Sequence, residues 1–349
     1  MNPQIFFPAL AVGILGSGAY RYSLVFDVLQ QTGTAGITVF TALLFLPALS
    51  ARAWADRITG KGRSWLAIIC GILFTGLALY GRPKPWPFLA SQALLLGMME
   101  SLLIPAVQAW SARRSEGGLA WANSAIFLVS CLSLLLAPAI GAFLGADRVS
   151  IAGVAGYALL CALLLNLPKS APALGVPTQI VEAPAGADGL HGIGVVFLAG
   201  AAFGALSNMI YPIALKMLDG RALTVGLATS APLLSAAGGS WLRGHLGAKE
   251  STKMFGLWMI VPLGFLALSG PSILLGIFVW GGLLGFIETN CLYGQRDLQR
   301  ALSVKYAGIA SGILLSGLIM QWPAVNPLGA IACSFYVVAM AQGVLWKAS

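Results

Sequence analysis

Of the eleven acidic residues in this 349-residue chain, only Glu100 and Glu288 stand well inside long apolar runs. Both occur in one phrase written twice, Leu95-Leu96-Gly97-Met98-Met99-Glu100-Ser101 and Leu283-Leu284-Gly285-Phe286-Ile287-Glu288-Thr289, at an offset of 188 residues. A charged side chain at the centre of a bilayer costs roughly 2.5 to 3.5 kcal/mol on insertion scales, so such a residue points first to function. Desolvation favours the neutral carboxyl, and a neighbouring cation or bound cationic solute favours the carboxylate. A proton and a solute can therefore compete through one group, which is coupling chemistry. One proton crossing about 100 mV supplies about 2.3 kcal/mol. The plainer alternative is a carboxyl satisfied by a hydroxyl or arginine on the next helix.

Other polar side chains could meet a substrate. Arg21 lies about two thirds along the first apolar run and stays charged. It can pair with an anionic solute or with Glu100, or its long stem can carry the guanidinium to the interface. Tyr22 and Tyr211 stand 189 residues apart, at matching places in the two halves, and offer hydroxyls and ring faces. Interfacial aromatics are the competing explanation. Gln92, Gln108, Asn208 and Asn290 are further candidates for substrate binding, although amides also serve as bonds between membrane helices.

Several chemistries find no support. The five cysteines are odd in number and lack CxxC spacing, and the two histidines, His191 and His245, are far apart, so neither a disulfide framework nor a metal site is expected. The sequence contains no Walker loop or nucleophilic triad pattern, so neither an enzyme nor a cofactor is expected. The net charge of +9 is scattered over short loops rather than gathered beside aromatics, which argues for membrane topology and against nucleic acid.

The elements that must position these residues are transmembrane helices. Hydrophobic residues make up 58% of the chain and charged ones 9%, with a mean hydropathy of +0.87. Lipid offers the backbone no hydrogen bonds, so runs of about 20 apolar residues become helices, and the expected fold class is all-α integral membrane. Twelve segments are expected, at 4–28, 34–51, 64–81, 86–110, 118–144, 149–167, 192–217, 222–241, 253–269, 271–294, 304–321 and 324–346. The run from Ile5 has no preceding Lys or Arg and reads as a first span rather than a cleaved leader. Fourteen Lys and Arg residues, Lys305 among them, stand on one side. Arg82, Lys84, Arg148 and Arg221 fall on the other, which expects both termini in the cytoplasm. Residues 168–190 are rich in Pro, Ala and Gly and read as a cytoplasmic linker between six-helix bundles at 1–167 and 191–349. The matched glutamates and tyrosines, with basic loops 187 residues apart after the second and eighth segments, indicate duplication. Two such repeats enclose a site near the bilayer midplane.

The loop Asp56-Arg57-Ile58-Thr59-Gly60-Lys61-Gly62-Arg63 resembles the signature between spans two and three of the major facilitator superfamily, with Arg52 in place of the usual Gly and Thr59 added before Gly60. Three patches resemble exporters related to the enterobactin and macrolide efflux proteins. They are Ile104-Pro105-Ala106-Val107-Gln108-Ala109, Ala122-Asn123-Ser124 and Leu136-Ala137-Pro138-Ala139-Ile140-Gly141-Ala142. The resemblance implies two pseudo-symmetric six-helix bundles with spans one, four, seven and ten around a cavity, and a gating loop of Asp56, Arg57 and Arg63 with Arg243 in the second half. It implies a monomeric secondary transporter of a bacterial inner membrane working by alternating access, with protons, a small organic solute and membrane lipid as its partners. Export of a siderophore or drug-like compound is expected. Import of a nutrient or metal complex and lipid flipping on the same scaffold are the alternatives.

Overall fold

The computed structural model describes residues 3–57, 61–80, 84–112, 118–167, 190–217, 221–246, 272–293 and 298–320. The helices are α1 (Pro3–Arg57), α2 (Lys61–Ala78), α3 (Trp86–Ala112), α4 (Gly118–Asn166), α5 (Leu190–Met217), α6 (Ala222–His245), α7 (Ser272–Tyr293) and α8 (Leu298–Met320). Gly33 and Gly145 take φ of 67° and 72° inside α1 and α4. That left-handed geometry suits glycine, and each long helix turns back there as two limbs. The limbs bring the described helical segments to ten, matching ten of the twelve expected runs. The runs at 253–269 and 324–346 and the linker at 168–189 lie outside the described residues.

Among the described residues, five helical stretches are long and apolar enough to cross a bilayer, at Ile5–Gly33, Trp86–Ile104, Asn123–Gly145, Asp147–Asn166 and Ser272–Thr289. The outer faces of the described helices α4 and α8 are apolar at helical spacing. Leu128, Leu132 and Leu136 of α4, and Leu314, Leu315 and Leu318 of α8, are all exposed, as lipid-facing rows should be. The chain is a multi-pass membrane protein. Among the described residues, most buried apolar side chains fall into two clusters, one running from Phe6 to Leu167 and the other from Ala199 to Ile287.

Two boundaries differ from expectation. Helix α8 begins at Leu298, six residues before the expected run, so Lys305, the second residue of that run, sits about 10 Å into a helix rather than at its start. A charged residue ends an apolar pattern without ending a helix, provided its charge finds a partner. Lys84, between two expected runs, is no loose loop cation. It is fully buried, and its Nζ donates to the carbonyls of Leu77 (2.9 Å), Ala78 (3.0 Å) and Tyr80 (2.7 Å) at the end of α2. Those are the carbonyls a helix leaves without intrahelical partners, at its negative pole. Lys84→Met should lower folding stability by about 2 kcal/mol, measured as a reduced melting temperature in detergent. An unchanged melting temperature would mean that water replaces the ammonium at no cost.

Candidate functional site

The duplicated phrase acquires a structural meaning in α3 and α7. A Cβ on Gly97 would overlap the Leu44 carbonyl oxygen of the second limb of α1, and a Cβ on Gly285 would overlap the Ala236 carbonyl oxygen of α6. Each glycine thus presses its helix against a neighbour's backbone. Each glutamate, three residues and nearly one turn later, enters the centre of the molecule. α3 is held further by Tyr157 of the second limb of α4, whose hydroxyl donates to the Leu95 carbonyl at 2.8 Å and whose ring stacks on Phe74.

Both glutamates are ion-paired across helices. Arg21 Nη1 of α1 donates to Glu100 Oε1 at 3.4 Å, with 22% and 36% of the two side chains exposed. Lys305 Nζ of α8 donates to Glu288 Oε1 of α7 at 2.5 Å, with 13% and 10% exposed. The first pair is long and open, the second short and enclosed. The cations do not follow the repeat, since one comes from the first apolar run and the other from the eleventh.

All four residues line one cavity of about 230 Å³. The rest of its described wall is largely apolar, with Ile14, Leu96, Phe127, Phe203, Leu206 and Ile309 among its members. Among the described lining residues, Arg21, Glu100, Glu288 and Lys305 are the charged ones. A water-sized annex of about 10 Å³ lies against the Glu288–Lys305 pair and also touches Phe203.

Other residues singled out from the sequence lie elsewhere. Asn208 points between helices, its Nδ2 donating to Ser316 Oγ (3.0 Å), the Ile313 carbonyl (3.3 Å) and Thr38 Oγ1 (3.4 Å). Gln92 is fully buried and does not border the cavity. Tyr22 packs edge-on against Phe26, also away from the cavity lining. Arg243 is fully buried at the end of α6 and donates to the Leu246 carbonyl at 3.0 Å. Asp56 and Arg57 fall in the last turn of α1 and Arg63 in the first turn of α2. The side chains of Asp56, Arg57, Arg63, Gln108, Tyr211 and Asn290 lie outside the described residues.

The structure adds three residues that sequence reasoning missed. Lys305 was hidden by its place at the edge of an apolar run. Asn123 lines the cavity, and its Nδ2 donates to Thr289 Oγ1 at 3.4 Å, next to Glu288. Thr289 in turn donates to Ser240 Oγ at 2.9 Å, while the neighbouring Ser124 donates to the Ala237 carbonyl at 3.0 Å. These contacts join α4 to α6 and α7 across the two apolar clusters. The only sequence signal for them was the Ala122-Asn123-Ser124 patch and the Thr following the repeated Glu.

No family model matches the sequence, and no curated protein matches it. Solved structures do match. The human organic anion transporter MFSD10 (TETRAN) is 14% identical, with 99% of each chain covered and a TM-score of 0.68. A bacterial homologue of the iron transporter ferroportin, in its outward-facing state, is 16% identical over 99% of this chain and 98% of the other, with a TM-score of 0.64. The nucleoside transporter NupG is 14% identical over 100% and 98%, with a TM-score of 0.59. The described helices share the all-helical fold of these solved transporters.

Proposed function

We propose that this chain is a secondary active transporter that exports a small organic solute, siderophore or drug-like in kind, in exchange for protons. The observation that carries the reading is the central cavity in which Glu100 and Glu288, the two glutamates of a duplicated phrase, meet cations from other helices. The exporter-like patches support the direction. In this reading residues 1–167 and 191–349 are six-helix bundles joined by the 168–190 linker, in a bacterial inner membrane with both termini cytoplasmic. The protein works as a monomer.

The two bundles rock about the cavity. On the proposed topology the Asn123–Thr289 and Ser124–Ala237 bonds lie towards the cytoplasm, and the Asn208 bonds to Thr38 and Ser316 lie towards the outside. Alternating access breaks one set while the other holds. A proton on Glu100 frees Arg21 from its partner, and its departure restores the pair, so the proton decides which side chain is open to solute. A 100 mV proton gradient biases the cycle by about 2.3 kcal/mol, roughly fiftyfold.

In proteoliposomes, Glu100→Gln and Glu288→Gln should each leave solute exchange intact or slowed while removing its response to an imposed pH gradient. Flux that follows the pH gradient as in the wild type in both variants would end the role of these carboxyls.

A further inference from the structure

The charges in the cavity cancel. Two carboxylates face one guanidinium and one ammonium among the described lining residues, and the surrounding wall is largely apolar. While both carboxyls are ionised, a solute bearing a single charge would have to displace one member of a pair and leave its partner uncompensated beside a largely apolar wall, which is unfavourable. A solute bearing both signs can replace both partners at once and leave no charge orphaned.

The two pairs are not equally open to such an exchange. Arg21 and Glu100 touch through one nitrogen and one oxygen at 3.4 Å and are partly exposed. Lys305 and Glu288 meet at 2.5 Å and are nearly enclosed. Ile14, Leu96 and Phe127 share the cavity wall with the open pair and suit an apolar body.

We propose that the cavity takes a small zwitterion with an apolar body, its ammonium on Glu100 and its carboxylate on Arg21, while the Glu288–Lys305 pair stays closed. This rests on the transporter reading above and narrows its solute class. The ammonium and the coupling proton then compete for the same carboxyl, so solute binding and proton uptake become alternatives at Glu100, and the arrival of one releases the other.

Binding to the purified full-length protein tests this without any transport. Three matched sets of probes share a body and differ in charge: L-phenylalanine, phenethylamine and 3-phenylpropionate; L-tryptophan, tryptamine and indole-3-propionate; L-leucine, 3-methylbutylamine and 4-methylpentanoate. The wild type should bind at least one zwitterion at least tenfold more tightly than its amine and its acid, a difference of about 1.4 kcal/mol. Arg21→Gln should reverse that preference towards the amine, and Glu100→Gln towards the acid. A general loss of structure cannot produce two opposite changes in selectivity. The exchanged variant carrying both R21E and E100R should keep the zwitterion preference. Tighter binding of an amine or acid than of every zwitterion, no binding of any probe, or the same selectivity in R21Q and E100Q would overturn the proposal. Zwitterion binding with no flux in proteoliposomes would leave it standing and count instead against the transporter reading.

Discussion

Lys305→Met should lower folding stability by about 3 kcal/mol, and the double variant K305M/E288L should recover most of that loss. The ammonium and the Glu288 carboxylate are largely buried and meet at 2.5 Å. Removing one member of a buried pair typically costs about 3 to 5 kcal/mol because the other charge stays behind, whereas replacing both with apolar groups of similar volume is often neutral or better. The lower figure is expected here because Glu288 borders a cavity, so the carboxylate left behind is not wholly sealed in apolar packing. Thermal unfolding in detergent reads all three proteins. If K305M melted with the wild type, the pair would be dispensable for the fold. If the double variant melted as low as K305M, packing around Lys305 would matter rather than charge. On the proposed function, the double variant folds and no longer couples flux to protons.

The second large effect concerns two positions that carry no side chain. Gly97→Ala and Gly285→Ala should each destabilise the protein by about 3 kcal/mol, the upper part of the range for overpacking, because the added methyl overlaps a backbone carbonyl that cannot swing aside. Gly97→Leu should yield no folded protein. Gly76 and Gly238 are the matched controls, with nothing within 4 Å of a built Cβ. Alanine there should be neutral or stabilising by up to about 1 kcal/mol, since glycine is the poorer helix former. The measurement is recovery of monodisperse protein together with its melting temperature. Equal behaviour of G97A and G76A would mean that α3 and α1 are not in backbone contact. In that case the spacing of Gly97 and Glu100 would not aim the carboxyl as argued.

These two experiments touch different layers of the same motif. The glycine sets how closely two helices approach, and the glutamate three residues on uses that approach to reach the cavity. A repeat of Gly-x-x-Glu at an offset of 188 is visible in the chain itself, because local periodicity puts both residues on a helix whatever else the helix meets. The class of solvent was equally legible, since only lipid tolerates this much apolar surface and only helices satisfy their backbone within it.

What surrounds each glutamate was decided in three dimensions. Arg21 is 79 residues from Glu100, and nothing in local pattern distinguishes an arginine that snorkels to the interface from one turned inward to a carboxylate. The fold makes that choice by placing α1 beside α3. Lys305 looked like the edge of a span because a charge interrupts hydropathy, but a paired charge costs far less than a bare one and the helix extends past it in both directions. The amides divide for the same reason. Asn208 bonds α5 to α8 and the second limb of α1, while Asn123 reaches from the cavity wall to Thr289. Sequence alone determined the medium, the helices and the two carboxyls, because those follow from composition and from neighbours a few residues away. Partners, burial and the neutrality of the cavity depend on contacts between helices far apart in the chain, and only packing could decide them.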